Sequence, residues 1–359
     1  MKKLYIIFIP TIIISLLLFG KYNISKKNNT ETNNNINNNT ISNIDKTTVS
    51  YNNWLHTDGK YLKNEKNEII QLKGISSHGI EWFYDIITYE NLKTLKETFN
   101  INTFRIAMYT DSNGQGYISN PTENKEKVTT IIEMATKLDM YVIVDWHILT
   151  DNNPQTYTQQ SIDFFNEISL KYKNTPNVIY EICNEPNGSN VSWDYNVKPY
   201  AEQIIPIIRK NSPKSLIIVG TPDWCKDLKS VANNPLKYEN ILYSCHFYSG
   251  SHGKELQDQI DYCLNSNIPI FVSECGLTDA SGNGTTYFNE FSEWISFLNS
   301  KNISWIYWSF SNKNESSALL TPEYKPTVNP ENIDTSQNNT ISINDYLSES
   351  GKFLKSVLK

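Results

Sequence analysis

The chain has 359 residues, of which 19% are charged, and its formal net charge is −6 at pH 7. Its basic residues are scattered, which argues against a nucleic-acid partner, because such a partner requires a basic face. The length exceeds that of an average domain but suits one α/β barrel, which takes about 250 residues plus insertions. Aromatic residues make up 12% of the chain, a content that can fill a core and that also suits sugar binding.

Residues 1–20 have the pattern of an export signal or a membrane anchor. Lys2 and Lys3 precede an apolar run from Leu4 to Gly20, as the charged region of an export signal precedes its apolar region. The run is slightly shorter than the roughly twenty residues that cross a bilayer, and Pro10 interrupts it. We therefore expect a secreted, extracellular protein, either released or anchored by an uncleaved N-terminal segment.

Residues 21–50 form an asparagine-rich tract that we expect to be a disordered linker. Such polar repetition buries too little apolar area to offset the entropy of ordering the chain. The linker would hold the folded part away from a membrane or cell wall, although low-complexity drift explains the same composition equally well.

From Tyr51 onward, eight apolar runs have the continuous pattern of strands that are buried on both faces. They are Ile69–Ser76, Thr103–Tyr109, Tyr141–Trp146, Val178–Cys183, Leu216–Gly220, Ile241–His246, Ile270–Ser273 and Ile303–Phe310. Helical spacing appears between them, for example in Asn91–Phe99, Glu126–Leu138, Ser161–Tyr172, Val197–Lys210 and Tyr287–Asn299. Eight strands alternating with helices predict a (β/α)8 TIM barrel, formed as a single domain by residues 51–359.

In such a barrel the functional residues lie at the carboxyl ends of the strands. Polar or aromatic groups stand at or just beyond the ends of seven predicted strands. In chain order they are His78, Trp82, Arg105, Tyr109, Asp145, His147, Asn184, Glu185, His246, Tyr248, Glu274, Trp308, Lys313 and Glu315. Any one of them could be an ordinary hydrogen-bonded core residue, but the same placement in seven strands favours a shared site.

Glu185 and Glu274 each follow an apolar run and precede a break in it. Two carboxyl groups on different strands are what glycosidic-bond cleavage requires, with one acting as acid and the other as nucleophile. Arg105 could hold one carboxylate ionised and Tyr248 could hydrogen-bond the same group. Desolvation and the charge of the other glutamate would keep Glu185 neutral, because both raise the pKa of a carboxyl group.

Several linked motifs resemble glycoside hydrolase family five, and in particular its Bacillus-type endoglucanase branch. They are Gly74–Gly79, Phe104–Tyr109, Val144–Leu149, Asn184–Pro186, Leu242–Tyr248, Glu274, Trp308–Glu315 and a tail at Tyr346–Phe353. The resemblance covers roughly residues 52–358. It implies a single (β/α)8 catalytic domain that hydrolyses β-1,4-glucan bonds with retention of configuration.

The resemblance also implies roles for the predicted site residues. Glu185 would be the acid/base and Glu274 the nucleophile. The site of bond cleavage would be lined by Arg105, His147, Asn184, His246, Tyr248 and Trp308. Further sugar contacts would come from His78, Trp82, Tyr109, Lys313 and Glu315. Asn184 could bind the sugar 2-hydroxyl, and Trp308 offers a stacking platform for the sugar ring.

One position departs from the branch pattern. The branch usually has tryptophan after the nucleophile, whereas this chain has Cys275, and we expect the loss of a large indole beside Glu274 to loosen the substrate's fit. The five cysteines are odd in number and lack a C-x-x-C spacing, so they predict no disulfide framework. No metal site and no cofactor is indicated.

Three other interpretations remain open. The same fold could cut mannan, xyloglucan or a mixed-linkage glucan, because this preference depends on a few contacts to hydroxyl groups. A metal-dependent barrel hydrolase could use His78, His147 and His246, although these positions do not form a recognisable ligand set. A non-catalytic carbohydrate binder would be expected to have lost one of the two glutamates. We expect a monomer with a β-1,4-glucan substrate and no protein partner.

Overall fold

The computed structural model describes residues 45–111, 113–326 and 342–358. The predicted export segment and most of the predicted linker lie outside the described residues. The folded part begins slightly before the predicted boundary at residue 51, because the backbone N–H of Ser50 donates to Oδ1 of Asp139 over 2.8 Å. Within the described ranges, no helix is long and apolar enough to span a bilayer.

Eight parallel strands close into a barrel, which confirms the predicted (β/α)8 fold. The barrel strands are β3 (Lys73–Ser77), β4 (Thr103–Tyr109), β5 (Tyr141–His147), β6 (Val178–Glu181), β7 (Ile217–Val219), β8 (Ile241–Tyr248), β9 (Ile270–Gly276) and β10 (Trp305–Phe310). Each strand pairs with its neighbours in chain order, and β10 closes the ring against β3. A short antiparallel hairpin precedes the barrel, formed by β1 (His56–Asp58) and β2 (Tyr61–Lys63).

Helices connect the strands and cover the outside of the barrel. They are α1 (Val49–Asn52), α2 (Ile80–Phe83), α3 (Tyr89–Phe99), α4 (Pro121–Lys137), α5 (Thr158–Lys171), α6 (Lys198–Asn211), α8 (Leu228–Asn233), α9 (Lys254–Asn265), α10 (Phe288–Ser300) and α11 (Glu349–Val357). The short element α7 (Pro222–Cys225) is a turn with largely left-handed backbone beside the cleft. The five predicted helices correspond to α3, α4, α5, α6 and α10 with shifted ends. Apolar residues at helical spacing explain this agreement, since one face of each helix must pack on the barrel.

Most of the buried apolar residues form two separate layers. A small cluster fills the barrel interior at the amino ends of the strands, and it includes Tyr141, Ile179 and Phe271. A much larger cluster packs between the strands and the surrounding helices, with Val272 and Tyr307 among its members. The apolar filling of the interior therefore lies at one end, and the other end is left for polar side chains.

A bulge in β9 turns two successive side chains into the barrel. His246 pairs with Glu274 and Ser244 pairs with Phe271, so β9 contains one residue more than β8 between these pairs. Such an insertion interrupts the alternation of side chains. Both Ser273 and Glu274 consequently hydrogen-bond to groups in the interior.

Cys275 faces away from the interior, and the expectation that it loosens the substrate's fit is wrong. Its side chain is completely buried in the outer layer, in the same cluster as Phe247 and Tyr307. The bulge before it sets this direction, so tryptophan or cysteine at this position affects packing against helices. All five cysteines are buried and unpaired, which confirms the prediction that they form no disulfide framework.

Candidate active site

A cleft of about 490 Å³ opens at the carboxyl ends of the barrel strands. Ten of the thirteen residues predicted for the site line it. They are His78, Tyr109, His147, Glu185, His246, Tyr248, Glu274, Trp308, Lys313 and Glu315. The other three are Trp82, which packs edge-on against Tyr109 with ring centroids 5.1 Å apart, and the fully buried Arg105 and Asn184.

Glu185 and Glu274 meet in this cleft although 89 positions separate them in the sequence. A carboxylate oxygen of each lies within 4.8 Å of the other, and a ring nitrogen of His246 lies within the same distance of both. The two oxygens are thus no farther apart than the roughly 5–5.5 Å between the carboxyl groups of retaining glycosidases, and they are closer than the roughly 6.5–9.5 Å of inverting ones. The pair has room for a sugar carbon but not for an additional water.

A close approach between two strands holds the segment that carries Glu185. Asn184 and Glu185 follow the end of β6, and the backbone N–H of Gly220 donates to the carbonyl of Cys183 over 3.1 Å. A Cβ atom at position 220 would lie 2.2 Å from that carbonyl oxygen and 2.6 Å from the carbonyl oxygen of Asn184. Only glycine fits there without moving the segment.

Both carboxylate oxygens of Glu274 accept hydrogen bonds. Nη1 of Arg105 donates to Oε2 over 3.1 Å, and the hydroxyl of Tyr248 donates to Oε1 over 2.7 Å. These are the two contacts that the sequence predicted for one of the carboxylates. They fix the orientation of the Glu274 carboxylate.

Arg105 connects Glu274 to two further carboxylates that are completely buried. Its Nε donates to Glu181 over 2.7 Å, and its Nη2 lies 3.0 Å from Asp145 and 2.7 Å from Oδ1 of Asn184. Arg105 is itself 0% exposed. It therefore positions the residues around it, and it does not contact the open cleft as a direct substrate ligand would.

Glu185 faces a histidine that is uncharged at neutral pH. Oε1 of Glu185 lies 2.8 Å from Nδ1 of His246. Burial raises the pKa of Glu185 to about 7 and lowers the pKa of His246 to about 4. In both groups burial disfavours the charged form, so a protonated carboxyl beside a neutral imidazole is the arrangement at mildly acidic pH.

His147 and Asn184 form a second buried contact below the cleft. Nδ1 of His147 lies 2.6 Å from Asp145, and its Nε2 lies 3.3 Å from the amide nitrogen of Asn184. That amide also donates to the carbonyl of Ile148 over 3.1 Å. Burial raises the pKa of Asp145, an effect that the adjacent guanidinium of Arg105 opposes, and it lowers the pKa of His147 well below its usual value.

Aromatic rings form one wall of the cleft. The rings of His147 and Trp308 stack with centroids 5.5 Å apart, and Tyr109 contacts His147 with centroids 4.2 Å apart. The ring of His78 lies 4.9 Å from that of Trp308. Flat apolar surfaces of this kind suit the faces of pyranose rings.

An ion pair between Lys313 and Glu315 lies next to His78 at one end of this wall. Nζ of Lys313 lies 2.6 Å from Oε2 of Glu315 and 3.2 Å from Nε2 of His78. Burial lowers the pKa of His78 to about 3, so its ring is neutral. The three residues offer both donors and acceptors to sugar hydroxyl groups.

Three residues on the opposite side of the cleft were not predicted from the sequence. Trp224, Lys226 and His252 line it, and Trp224 is 44% exposed. Asp223, Trp224 and Cys225 all have left-handed backbone, with φ between 53° and 61°. Non-glycine residues rarely adopt this conformation. The residue types therefore give no signal for this turn, which directs the indole of Trp224 toward the cleft.

The described residues contain one set of three potential metal ligands, and it is formed by Glu185, His246 and Glu274. The atoms of this set already hydrogen-bond to one another, to Tyr248 and to Arg105. The three histidines proposed for a metal-dependent alternative do not form such a set in the part of the chain that the structure describes. The absence of a metal from the reaction stays a prediction.

Residues 62–314 match the family model for cellulase, glycosyl hydrolase family 5. The chain is 49% identical over 273 residues to an endoglucanase of Clostridium saccharobutylicum. The aligned region covers 76% of this chain and 60% of the relative. It is also 48% identical over 258 residues to endoglucanase A of Evansella cellulosilytica, in an alignment that covers 72% of this chain and 52% of the relative. The chain thus spans little more than half the length of these relatives.

Solved structures show the same similarity. The cellulase Cel5C_n has a TM-score of 0.79 and 38% identity, covering 87% of this chain and 93% of that one. The catalytic domain of Thermobifida fusca endoglucanase Cel5A in complex with cellotetraose has a TM-score of 0.77 and 32% identity, covering 86% and 98%. With the family model matching well over half of its residues, the chain belongs to glycosyl hydrolase family 5.

Proposed function

We propose that this chain is a retaining endo-β-1,4-glucanase that hydrolyses internal bonds of cellulose-type glucans. The observation that carries the proposal is the approach of Glu185 and Glu274 to within 4.8 Å of each other in the cleft. Their surroundings differ as two-step hydrolysis requires. Glu274 accepts two hydrogen bonds, whereas the pKa of Glu185 is raised to about 7 by burial.

In the first step, an oxygen of Glu274 attacks the anomeric carbon while Glu185 donates its proton to the departing glycosidic oxygen. The carbon–oxygen bond to the leaving chain breaks, and a covalent glycosyl ester on Glu274 forms. In the second step, Glu185 takes a proton from water, whose oxygen attacks the same carbon and releases Glu274. Two inversions give a product with the original configuration.

Endo-acting cleavage requires sugar sites on both sides of the broken bond. The charged group of His78, Lys313 and Glu315 lies at one end of the cleft, whereas Trp224 and Lys226 follow β7. In the strand order of the ring, β7 lies directly opposite β3, which precedes His78. Binding groups on both sides of the glutamate pair support cleavage within a chain.

The preference for cellulose-type glucan rests on the relatives. Those at 45–49% identity are named endoglucanases, and the Thermobifida fusca structure holds cellotetraose. Mannan, xyloglucan and mixed-linkage glucan remain the competing substrates. We further propose an extracellular, monomeric enzyme in which residues 1–20 direct export, residues 21–50 act as a linker and residues 51–359 contain the catalytic domain.

Product analysis by NMR on a defined cello-oligosaccharide tests the proposal. With cellopentaose, we expect cleavage at internal bonds and a new reducing end that is initially in the β configuration. An initial α product would exclude the two-step reaction. Faster turnover of manno-oligosaccharides would overturn the substrate, and loss of activity in a chelator would favour the metal-dependent alternative.

A further inference from the structure

Ser273 lies behind His246, next to the nucleophile in sequence and out of reach of substrate. Its hydroxyl oxygen has three polar neighbours, namely Oε1 of Glu181 at 2.6 Å, Oγ of Ser244 at 2.5 Å and Nε2 of His246 at 3.0 Å. Ser273 and Ser244 are both completely buried. A serine hydroxyl donates one hydrogen bond and accepts two, so these three neighbours use its full capacity.

The direction of these hydrogen bonds follows from Glu181. Its other oxygen accepts a hydrogen bond from Nε of Arg105 over 2.7 Å. Burial raises the pKa of Glu181, and the adjacent guanidinium opposes this rise. A carboxylate that pairs with a buried guanidinium can only accept hydrogen bonds, so the single proton of Ser273 goes to Glu181.

Ser273 must then accept from its two remaining neighbours, Ser244 and His246. A neutral imidazole carries one N–H, and here that N–H is at Nε2. We propose that Ser273 holds His246 as the Nε2–H tautomer, so that the bare Nδ1 of His246 accepts the proton of the Glu185 carboxyl group. Ser273 is thus a positioning residue for the acid/base, an inference that rests on the function proposed above.

This arrangement serves both steps of the reaction. With its proton, Glu185 donates a hydrogen bond to Nδ1 over 2.8 Å. Without its proton, the carboxylate faces a nitrogen lone pair, which is unfavourable. The lone pair therefore keeps Glu185 protonated before the first step, and it makes the carboxylate a stronger base toward water in the second.

Other charged and titratable groups also act on this pair. Those facing Glu185 are Glu274, Arg105, Asp145, Lys226, Tyr109, Tyr248 and Cys225. Those facing His246 are Glu274, Arg105, Glu181, His147 and His252. Ser273 is uncharged, and Glu181 keeps its pairing with Arg105 when Ser273 is changed, so we expect these charges to be retained and the effect to report the tautomer.

The tautomer can be read directly by NMR of ¹⁵N-histidine-labelled protein, because the chain contains only five histidines. The His246 signals are assigned by their loss in His246→Gln. We expect Nε2–H in the wild type, Ser273→Thr and Ser244→Ala, because each retains an acceptor opposite Nε2. We expect Nδ1–H in Ser273→Ala. Nδ1–H in the wild type, or an unchanged tautomer in Ser273→Ala, would overturn the inference.

Kinetics separate positioning from a structural role. In Ser273→Ala, Nδ1–H would donate to the Glu185 carboxylate and lower the pKa of Glu185. A decrease of one unit lowers kcat/KM for cellopentaose by roughly tenfold above the pKa. It also moves the basic limb of the pH profile to lower pH. For 2,4-dinitrophenyl cellobioside, kcat/KM should hardly change, because its dinitrophenolate leaving group departs without needing a proton.

Ser273→Thr is the matched control, since it keeps the hydroxyl, and it should restore the cellopentaose value and the pH profile. Equal losses on both substrates would show that Ser273 acts only in folding or packing. Glu185→Ala and Glu274→Gln are tested alongside. If both remain active on cellopentaose, the proposed function fails. If both are inactive and Ser273→Ala keeps its pH profile, only the role of Ser273 fails.

Discussion

Nη1 of Arg105 donates to Oε2 of Glu274 over 3.1 Å at a position where the arginine side chain is 0% exposed and the glutamate side chain 5% exposed. The contact joins β4 to β9 across the barrel interior. With Tyr248 on the other oxygen, it leaves Glu274 little rotational freedom. The proposed nucleophile is therefore held in place before the substrate arrives, which would remove part of the cost of aligning it.

Glu274→Gln should lower kcat by several orders of magnitude, because the amide keeps the shape of the side chain but cannot form the glycosyl ester. The fold should remain intact, since Arg105 still pairs with Glu181 and Asp145. Activity on cellopentaose and thermal unfolding are measured together, with Glu290→Gln on the exposed face of α10 as control. A variant with near-normal turnover would remove Glu274 from the role of nucleophile.

Glu185→Ala should lose most activity on cellopentaose, because general acid catalysis typically contributes about 10²–10⁴-fold. It should retain the first step with 2,4-dinitrophenyl cellobioside, whose leaving group needs no proton. Azide should then restore turnover and give the β-glycosyl azide, because a small anion can attack the ester without a base. An α-glycosyl azide, or equal losses on both substrates, would contradict the assigned role.

The basic limb of kcat/KM for cellopentaose should lie near pH 7. Burial raises the pKa of Glu185 to about 7, so the carboxyl group keeps its proton below that pH and loses it above. The pKa of His246 is lowered to about 4, and this residue therefore does not contribute above about pH 5. A pH profile with 2,4-dinitrophenyl cellobioside is the control and should lack the basic limb. A limb near pH 5 for cellopentaose would show that Glu185 is not held neutral.

The barrel could be predicted from the sequence because its strands are buried on both faces and appear as continuous apolar runs. The polar residues at the rim were found because the fold puts every strand end at one face. Contacts between residues that are distant in the sequence produce no such pattern along the chain, so they could not be predicted. Glu181 lies within a buried strand, and its pairing with Arg105, 76 positions away, is visible only in the folded chain.

Two further features depend on local backbone geometry that residue types do not indicate. The bulge in β9 turns Ser273 as well as Glu274 inward and sends Cys275 outward, against simple alternation. The left-handed turn at Asp223, Trp224 and Cys225 contains no glycine, so the usual residue preference was absent. Both features affect the site, and neither could be predicted from periodicity.

Arg105→Met should destabilise the protein by about 3–5 kcal/mol, because it leaves buried carboxylates without their cation. Arg105→Lys keeps the charge, but one ammonium cannot replace three guanidinium nitrogens that reach Glu181, Asp145 and Glu274. We expect an intermediate loss of stability and a large loss of kcat. Urea unfolding and cellopentaose hydrolysis are the measurements.

Arg209→Lys is the control for these variants, since Arg209 donates to backbone carbonyls far from the cleft. It should change neither turnover nor the site. If Arg105→Met were as stable as the wild type, the three carboxylates would have to be neutral in the folded protein. That result would contradict the ion pairs described above.

Trp224→Ala should weaken the binding of long substrates more than it slows the chemistry. The exposed indole lines the cleft beyond the end of β7, and we expect a sugar of the leaving chain to stack on it. An aromatic stacking contact contributes about 0.5–1.5 kcal/mol, so we expect a two- to tenfold rise in KM for cellopentaose. On that expectation aryl cellobiosides place no sugar against Trp224, and their kcat/KM should be unaffected. Tyr195→Ala is the control, because Tyr195 is 83% exposed and does not line the cleft. A rise in KM for aryl cellobiosides as large as for cellopentaose would place Trp224 on the other side of the cleaved bond.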